Sequence, residues 1–280
     1  LLKHGKFGGE HAHYDKLGIH FLANGVEVAD DLGTVGYGAP LHYDYFKNTF
    51  THNTVCINGL NQPPADGKTI RYEQRADGIL VEGHADWCGE GPELDSLTIV
   101  QWDQPSYRGV AMRRSILFTD DYFVEAFLVR GAQGRVVDWL NHAQGEMALP
   151  KADYRSVNVQ IGESKPQSFL HDAKGFVPLG VQETRWSQAA GTLRVFSACN
   201  SPSELVYALG PNKPGCAELG YEIHRTRPVG GDVLYMNVFA FGSAGEKISA
   251  VELSETAPGE VLAQITLGAE KRAHRFTIGK

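Results

Sequence analysis

Six of the eleven histidines fall within the first 52 residues, at His4, His11, His13, His20, His42 and His52. In the stretch Gly8-Gly9-Glu10-His11-Ala12-His13-Tyr14-Asp15, two imidazoles and a carboxylate alternate. On an extended chain, residues spaced this way project from one face at steps of roughly 7 Å. Farther on, Asp31 ends a strand-like segment, where a chain reversal returns it toward His13. His52 opens the run His-Asn-Thr-Val-Cys-Ile-Asn, another strand start. Two imidazoles and one carboxylate are a ligand set favoured by zinc or a similar divalent ion. Taken alone, an H-x-H describes an exposed polar strand face equally well. A jelly-roll metal site that begins from H-x-H wants a glutamate four or five residues later, and here Leu17 and Gly18 stand there. Histidine near its ordinary pKa of about 6.5 also serves as a general base or, when protonated, as a positive charge.

The elements that must position these residues read as strands. Short apolar or alternating runs recur between Gly, Pro, Asn and Asp punctuation: 18–23, 54–58, 79–84, 97–102, 109–119, 122–129, 134–142, 157–162, 192–198, 232–241, 247–253 and 261–267. That spacing is the pattern of stacked antiparallel sheets. No segment keeps a 3.6-residue apolar period over four turns, and the best short-helix candidate is 41–48. With 32 glycines and 13 prolines the chain is turn-rich, and at 42% hydrophobic it has the material for a sizeable core. The fold expected is all-β: one large multi-sheet antiparallel β-sandwich over residues 1–280. The net charge of −7 argues against a nucleic-acid partner. No apolar run approaches the ~18 residues of a membrane span, so no membrane partner is expected either. Cys56, Cys88, Cys199 and Cys216 show no C-x-x-C spacing. A Cys199–Cys216 bridge is conceivable, while Cys56 reads as a buried free thiol. The chain opens on Leu1 with no leader pattern, which reads either as a removed signal or, the preferred reading, as a piece of a longer protein.

Four blocks then carry a resemblance. They are Lys3–Leu17 with its K-H-G-x-x-G-G-x-H-x-H-x-D-K-L, Asn24–Thr34 with N-G-x-E-V-x-x-D-x-G-T, Pro40–Val55, and Asn58–Gln62. In this order they resemble the C-terminal half of the heparinase II/III family of polysaccharide lyases, closest to its oligoalginate-lyase and exo-heparinase branch. Segments 136–145 and 227–239 resemble later strands of the same family. The resemblance implies a β-sandwich joined to an N-terminal α/α-toroid, with the active site in the cleft between them. It implies that His11 is the sandwich's catalytic histidine, and that His13, Asp31 and His52 bind a structural metal, usually zinc. Asp31 is preferred to Asp30 as the Asp of the D-x-G-T block.

Lyases of this kind cleave uronic-acid polymers such as glycosaminoglycans or alginate by β-elimination, leaving a 4,5-unsaturated sugar. The chemistry needs a neutraliser for the uronate carboxylate, a base for the C5 proton and an acid for the departing O4. His11 is expected in one of the first two roles, with Tyr37 as a further catalytic candidate and His42 and Tyr43 as substrate-binding rim residues. Arg71, Arg113 and Arg114 are candidates to pair with uronate or sulfate. Asn53 and Gln62 are expected to hydrogen-bond at turns, and Asp138 and His142 to be structural. The expected partners are a uronic-acid polysaccharide and the protein's own helical domain, and a polymer substrate implies a periplasmic or secreted location. The competing expectation is a non-catalytic, metal-stabilised carbohydrate-binding sandwich.

Overall fold

The structure, a computed structural model, describes residues 1–36, 38–94, 96, 98–149 and 161–279. Among the described residues all strand pairing is antiparallel. The largest sheet runs edge to edge through Lys68–Arg75, Gly78–Asp86, Ala111–Phe118, Tyr122–Arg130, Val233–Phe241, Gly191–Cys199, Gln182–Gln188 and Glu146–Ala148. A second sheet runs through His171–Phe176, Ser203–Gly210, Leu219–Thr226, Val137–Ala143 and Val55–Ile57. A third is a meander of Ile248–Ala257, Glu260–Leu267 and Glu270–Thr277.

The apolar pattern explains the layering. Tyr122–Arg130 and Val233–Phe241 are apolar along nearly their whole length because both of their faces are covered. One face, with Phe123, Phe127, Tyr235 and Phe239, packs on Val55, Val137 and Trp139 of the second sheet. The other, with Val124, Leu128, Leu234 and Val238, packs on Val261, Ile265 and Phe276 of the meander. Each meander strand covers only one side, so Glu260–Leu267 alternates buried residues with partly exposed ones. A third cluster caps the outer face of the second sheet: Tyr45, Phe46 and Phe50, from short helical turns at His42–Phe46 and Thr49–Thr51, pack on Leu140, Val206 and Ile223.

Two local expectations change. The run 97–102 forms no strand in its described residues, and Ile99 and Val100 are exposed, because β-branched residues without a pairing edge do not make a ladder. Residues 157–160 of the run 157–162 lie outside the described residues. The expected short helix at 41–48 is a π-type turn at His42–Phe46. All four cysteines are free, so no Cys199–Cys216 bridge forms. No helix among the described residues is long and apolar enough to cross a membrane.

Candidate functional site

Three chain segments converge beside one edge of the largest sheet. The first is Leu1–Leu17, which lies so close over the sheet that a Cβ on Gly83 would meet Leu17 at 2.9 Å and Leu2 at 3.0 Å. It is not extended throughout as the alternation suggested: Gly9–His11 forms a 3-10 turn, and the chain becomes extended at Ala12. The second is the hairpin of Phe21–Ala23 and Val26–Ala29. Its turn residues Asn24 and Gly25 have φ of 53° and 76°, the left-handed pair of a tight two-residue turn. That reversal returns Asp31 toward His13. The third segment carries His52 between the Thr49–Thr51 turn and the strand Val55–Ile57.

Polar contacts lock the segments in register. Thr49 Oγ1 donates to Tyr14 O at 2.6 Å, Thr54 Oγ1 to Lys16 O at 2.7 Å, and Lys16 N to Gln62 Oε1 at 2.8 Å. Beneath them lies Arg114, fully buried, whose Nη1 donates to both Leu17 O and Asn53 O at 2.6 Å. Its Nη2 pairs with Glu125, itself held by Trp139 Nε1 at 2.8 Å and Asn237 Nδ2 at 3.1 Å. Arg114 is therefore not a surface group for sugar: it clamps the two backbone stretches that follow His13 and His52. Arg71 and Arg113 are committed to Glu73 and Glu82. Asn53 Oδ1 accepts from His142 N at 2.7 Å, and His142 bonds Thr51 O at 2.9 Å, both as structural parts. Asp138 is buried and paired with Arg225.

Within this frame His13, Asp15, Asp31 and His52 bring one ligand atom each to within 4.8 Å of one another. Asp31 lies 3.6 Å from His52 Nδ1, 4.0 Å from His13 Nδ1 and 3.4 Å from His20 Nε2, and accepts from Gly33 N at 2.6 Å. Lys3 Nζ bonds both Asp15 and Asp31. Asp30 turns the other way, to Lys213 and to Gln144 at 3.0 Å. Burial pushes His52 down to about 3 and lowers His13 as well, so both present neutral rings with lone pairs. Burial would raise Asp31, but His52, His20 and Lys3 outweigh it and hold the carboxyl far below its ordinary range. Lys3 is raised for the complementary reason: Asp15 and Asp31 outweigh its burial.

This donor set fits a divalent ion. His13 Nδ1, the ring nitrogen that faces Asp31, is buried without a hydrogen-bond partner, which is costly unless something binds there. A tetrahedral ion with bonds of about 2.1 Å needs its ligand atoms about 3.4 Å apart, and here they lie within 4.8 Å of one another, so binding would draw them inward. Asp15 joins the expected trio as a fourth candidate ligand and second carboxylate; its signal was the alternation with His11 and His13.

His11 is exposed on the rim of a groove of about 610 Å³, which Lys3, Lys6, His13, Asp15 and Lys16 also line. Its turn is pinned from below by Lys47, whose buried ammonium donates to Glu10 O at 2.9 Å between the rings of Tyr14 and Tyr43. His42 is 3% exposed, hydrogen-bonds Thr34 Oγ1 at 2.6 Å and stands 6.4 Å from the His13 ring, beside the cluster. Tyr43, half-buried, packs edge-on against His42 at 4.5 Å. Tyr37 lies outside the described residues. A larger cavity, about 840 Å³, opens where Glu270–Thr277 meets the largest sheet, and its Asp77 and His274 are bonded to each other.

Residues 1–199 match the family described as heparinase II/III-like, C-terminal. The chain belongs to that family. Solved structures agree on the fold of this heparinase II/III-like domain. Heparan sulfate lyase HepC from Pedobacter heparinus superposes with a TM-score of 0.68 at 12% identity, covering 100% of this chain and 39% of that one. The heparinase III BT4657 gene product gives 0.67 at 13%, covering 99% and 38%. A further heparinase III structure gives 0.64 at 14%, covering 95% and 36%. The domain thus spans less than two fifths of the length of these structures. Among curated proteins no sequence matches.

Proposed function

We propose that this domain forms the β side of a polysaccharide lyase active site that cleaves uronic-acid polymers by β-elimination. The observation that carries the reading is the exposed His11, held at the rim of a groove with three lysines and beside a buried ligand cluster. A polyanionic sugar chain suits such a lining, because lysines along a cleft attract carboxylates and sulfates before contact. In the reaction a base takes the C5 proton, the electron pair forms the C4–C5 double bond, and the C4–O4 bond breaks as an acid protonates O4. The C5 proton is acidic enough only while the adjacent carboxylate is neutralised. His11 serves as that base or as the neutralising charge, and the remaining groups come from an N-terminal helical domain across the groove.

His13, Asp31 and His52, with Asp15 beside them, would hold a divalent ion, zinc by ligand type. When bound it supplies a structural cross-link among three segments. The residues themselves do the positioning: Arg114 fixes the stretches behind His13 and His52, and Lys47 fixes the turn that presents His11.

The test is an assay of the full-length protein against heparan sulfate, hyaluronan, alginate and glucuronan, reading the 4,5-unsaturated product by absorbance. One or more polymers should yield product, and His11→Ala should lower the rate by at least about a hundredfold with folding and metal content intact. Full activity in His11→Ala, or no product from any uronate polymer, overturns the assignment.

A further inference from the structure

Lys3 sits between the ligand cluster and the groove, and its backbone cannot move far. Its N–H donates to Gly18 O at 2.7 Å, and its carbonyl accepts from Leu17 N at 2.8 Å. Leu17 O in turn accepts from Arg114. Only the side chain is free to swing. Its ammonium bridges Asp15 and Asp31, while about a quarter of the side chain remains exposed along the groove that His11 also lines.

That placement conflicts with the divalent ion proposed for the same cluster. The Asp31 oxygen that Lys3 holds is the one 3.6 Å from His52 Nδ1. An ion bound by His52 and Asp31 would stand within a few ångströms of the ammonium. Like charges so close, in a partly buried site, repel. One carboxylate cannot serve both at full strength.

We infer that Lys3 is a resident counter-cation for the cluster, which the divalent ion displaces, and that the released ammonium turns into the groove to meet an anionic group of the sugar chain. The inference rests on the metal reading above and adds an exchange to it: loading the cluster with metal arms the groove with a positive charge beside His11. Without metal, Lys3 bridges Asp15 and Asp31 and offsets one of their two charges, so the segments stay together. The anion is a uronate carboxylate or a sulfate ester, which share the chemistry of oxygen acceptors for an ammonium.

The test uses the full-length protein, stripped of metal by chelation. Zinc alone is titrated in competition with a chromophoric chelator, for wild type, Lys3→Met and Lys3→Arg. Lys3→Met removes the competing charge and should bind zinc at least tenfold more tightly. Lys3→Arg holds both carboxylates with a planar fork and should bind zinc no more tightly than wild type. In a second arm, zinc-loaded wild type should bind unreactive saturated oligosaccharides more tightly than the stripped protein, and Lys3→Met should lose that gain. An unsulfated uronate and a sulfated, carboxyl-reduced oligosaccharide, compared there, identify which anion is met. Zinc bound by Lys3→Met with equal or lower affinity than wild type overturns the exchange while leaving the metal site standing. Failure of wild type and Lys3→Met alike to bind zinc overturns the metal reading and the exchange with it.

Discussion

Replacing Arg114 with methionine should destabilise the protein far more than a surface arginine would. Arg114 and Glu125 are both fully buried, so the variant strands a carboxylate in the sandwich interior with only Trp139 and Asn237 to solvate it. Breaking a buried pair from one side costs about 3–5 kcal/mol. The loss of two charge-assisted bonds, to Leu17 O and Asn53 O, acts in the same direction. At roughly 2–4 °C per kcal/mol for a chain of this size, Tm should fall by about 10 °C. The informative variant is the double one, Arg114→Met with Glu125→Gln. Glutamine keeps an acceptor for Trp139 and Asn237 and removes the charge, so most of the stability should return. Zinc affinity should not return, because the stretches behind His13 and His52 still lack their clamp. Urea unfolding and a chelator-competition titration read the two effects separately. A single variant within about 1 kcal/mol of wild type, or a double variant with wild-type zinc affinity, refutes the clamp.

Other outcomes follow from the same framework. His13→Ala and His52→Ala should each lose the bound metal by elemental analysis while wild type retains one equivalent; retention in both breaks the cluster. Lys47→Met removes the donor to Glu10 O beneath His11 and should lower kcat by about tenfold or more with metal content unchanged; unchanged kcat excludes this positioning. Burial pushes Glu222 from its ordinary 4.5 up to about 8, so the folded chain keeps a proton that the unfolded chain releases. Its stabilisation is complete below pH 4.5 and is lost as pH rises through 8, so Glu222→Gln should flatten the fall in Tm between about pH 4.5 and 8. A fall across that window identical to wild type refutes the assignment. Histidine works in the opposite sense: His52, His142 and His224, pushed to about 3, 4 and 3, stabilise fully above their ordinary 6.5 and lose that contribution progressively as pH falls toward those values.

What the sequence made legible was whatever covalent spacing and alternation enforce. The apolar runs at 122–129 and 232–241 read as strands, which the structure covers on both faces, and the expected return of Asp31 toward His13 is made by a hairpin that turns at Asn24 and Gly25. The choice of Asp31 over Asp30 rested on the family block, and the geometry separates the two by giving Asp30 to Lys213. Arg114 was misjudged although the signal was present. Adjacent residues of a strand face opposite sides, so in Met112-Arg113-Arg114-Ser115-Ile116 one arginine had to point inward with Met112 and Ile116. Nothing in the spacing indicated its acceptors, because Leu17 O and Asn53 O are backbone atoms 97 and 61 residues away. The surroundings of His42 were not legible for a related reason: Thr34 and Tyr43 meet its ring only through packing.

The central claim is elimination at the His11 groove, and the most direct measurement follows the oxygen. The full-length protein is incubated with its preferred uronate polymer in heavy-oxygen water, and the products are analysed by mass spectrometry and NMR. β-Elimination leaves a C4–C5 double bond at the new non-reducing end and takes no oxygen from water into the bond that breaks. The account predicts an unsaturated product free of label at the cleavage site, formed by wild type and not by His11→Ala. Label at the cleavage site in a saturated product means that water attacked, and the groove would then be a hydrolase site.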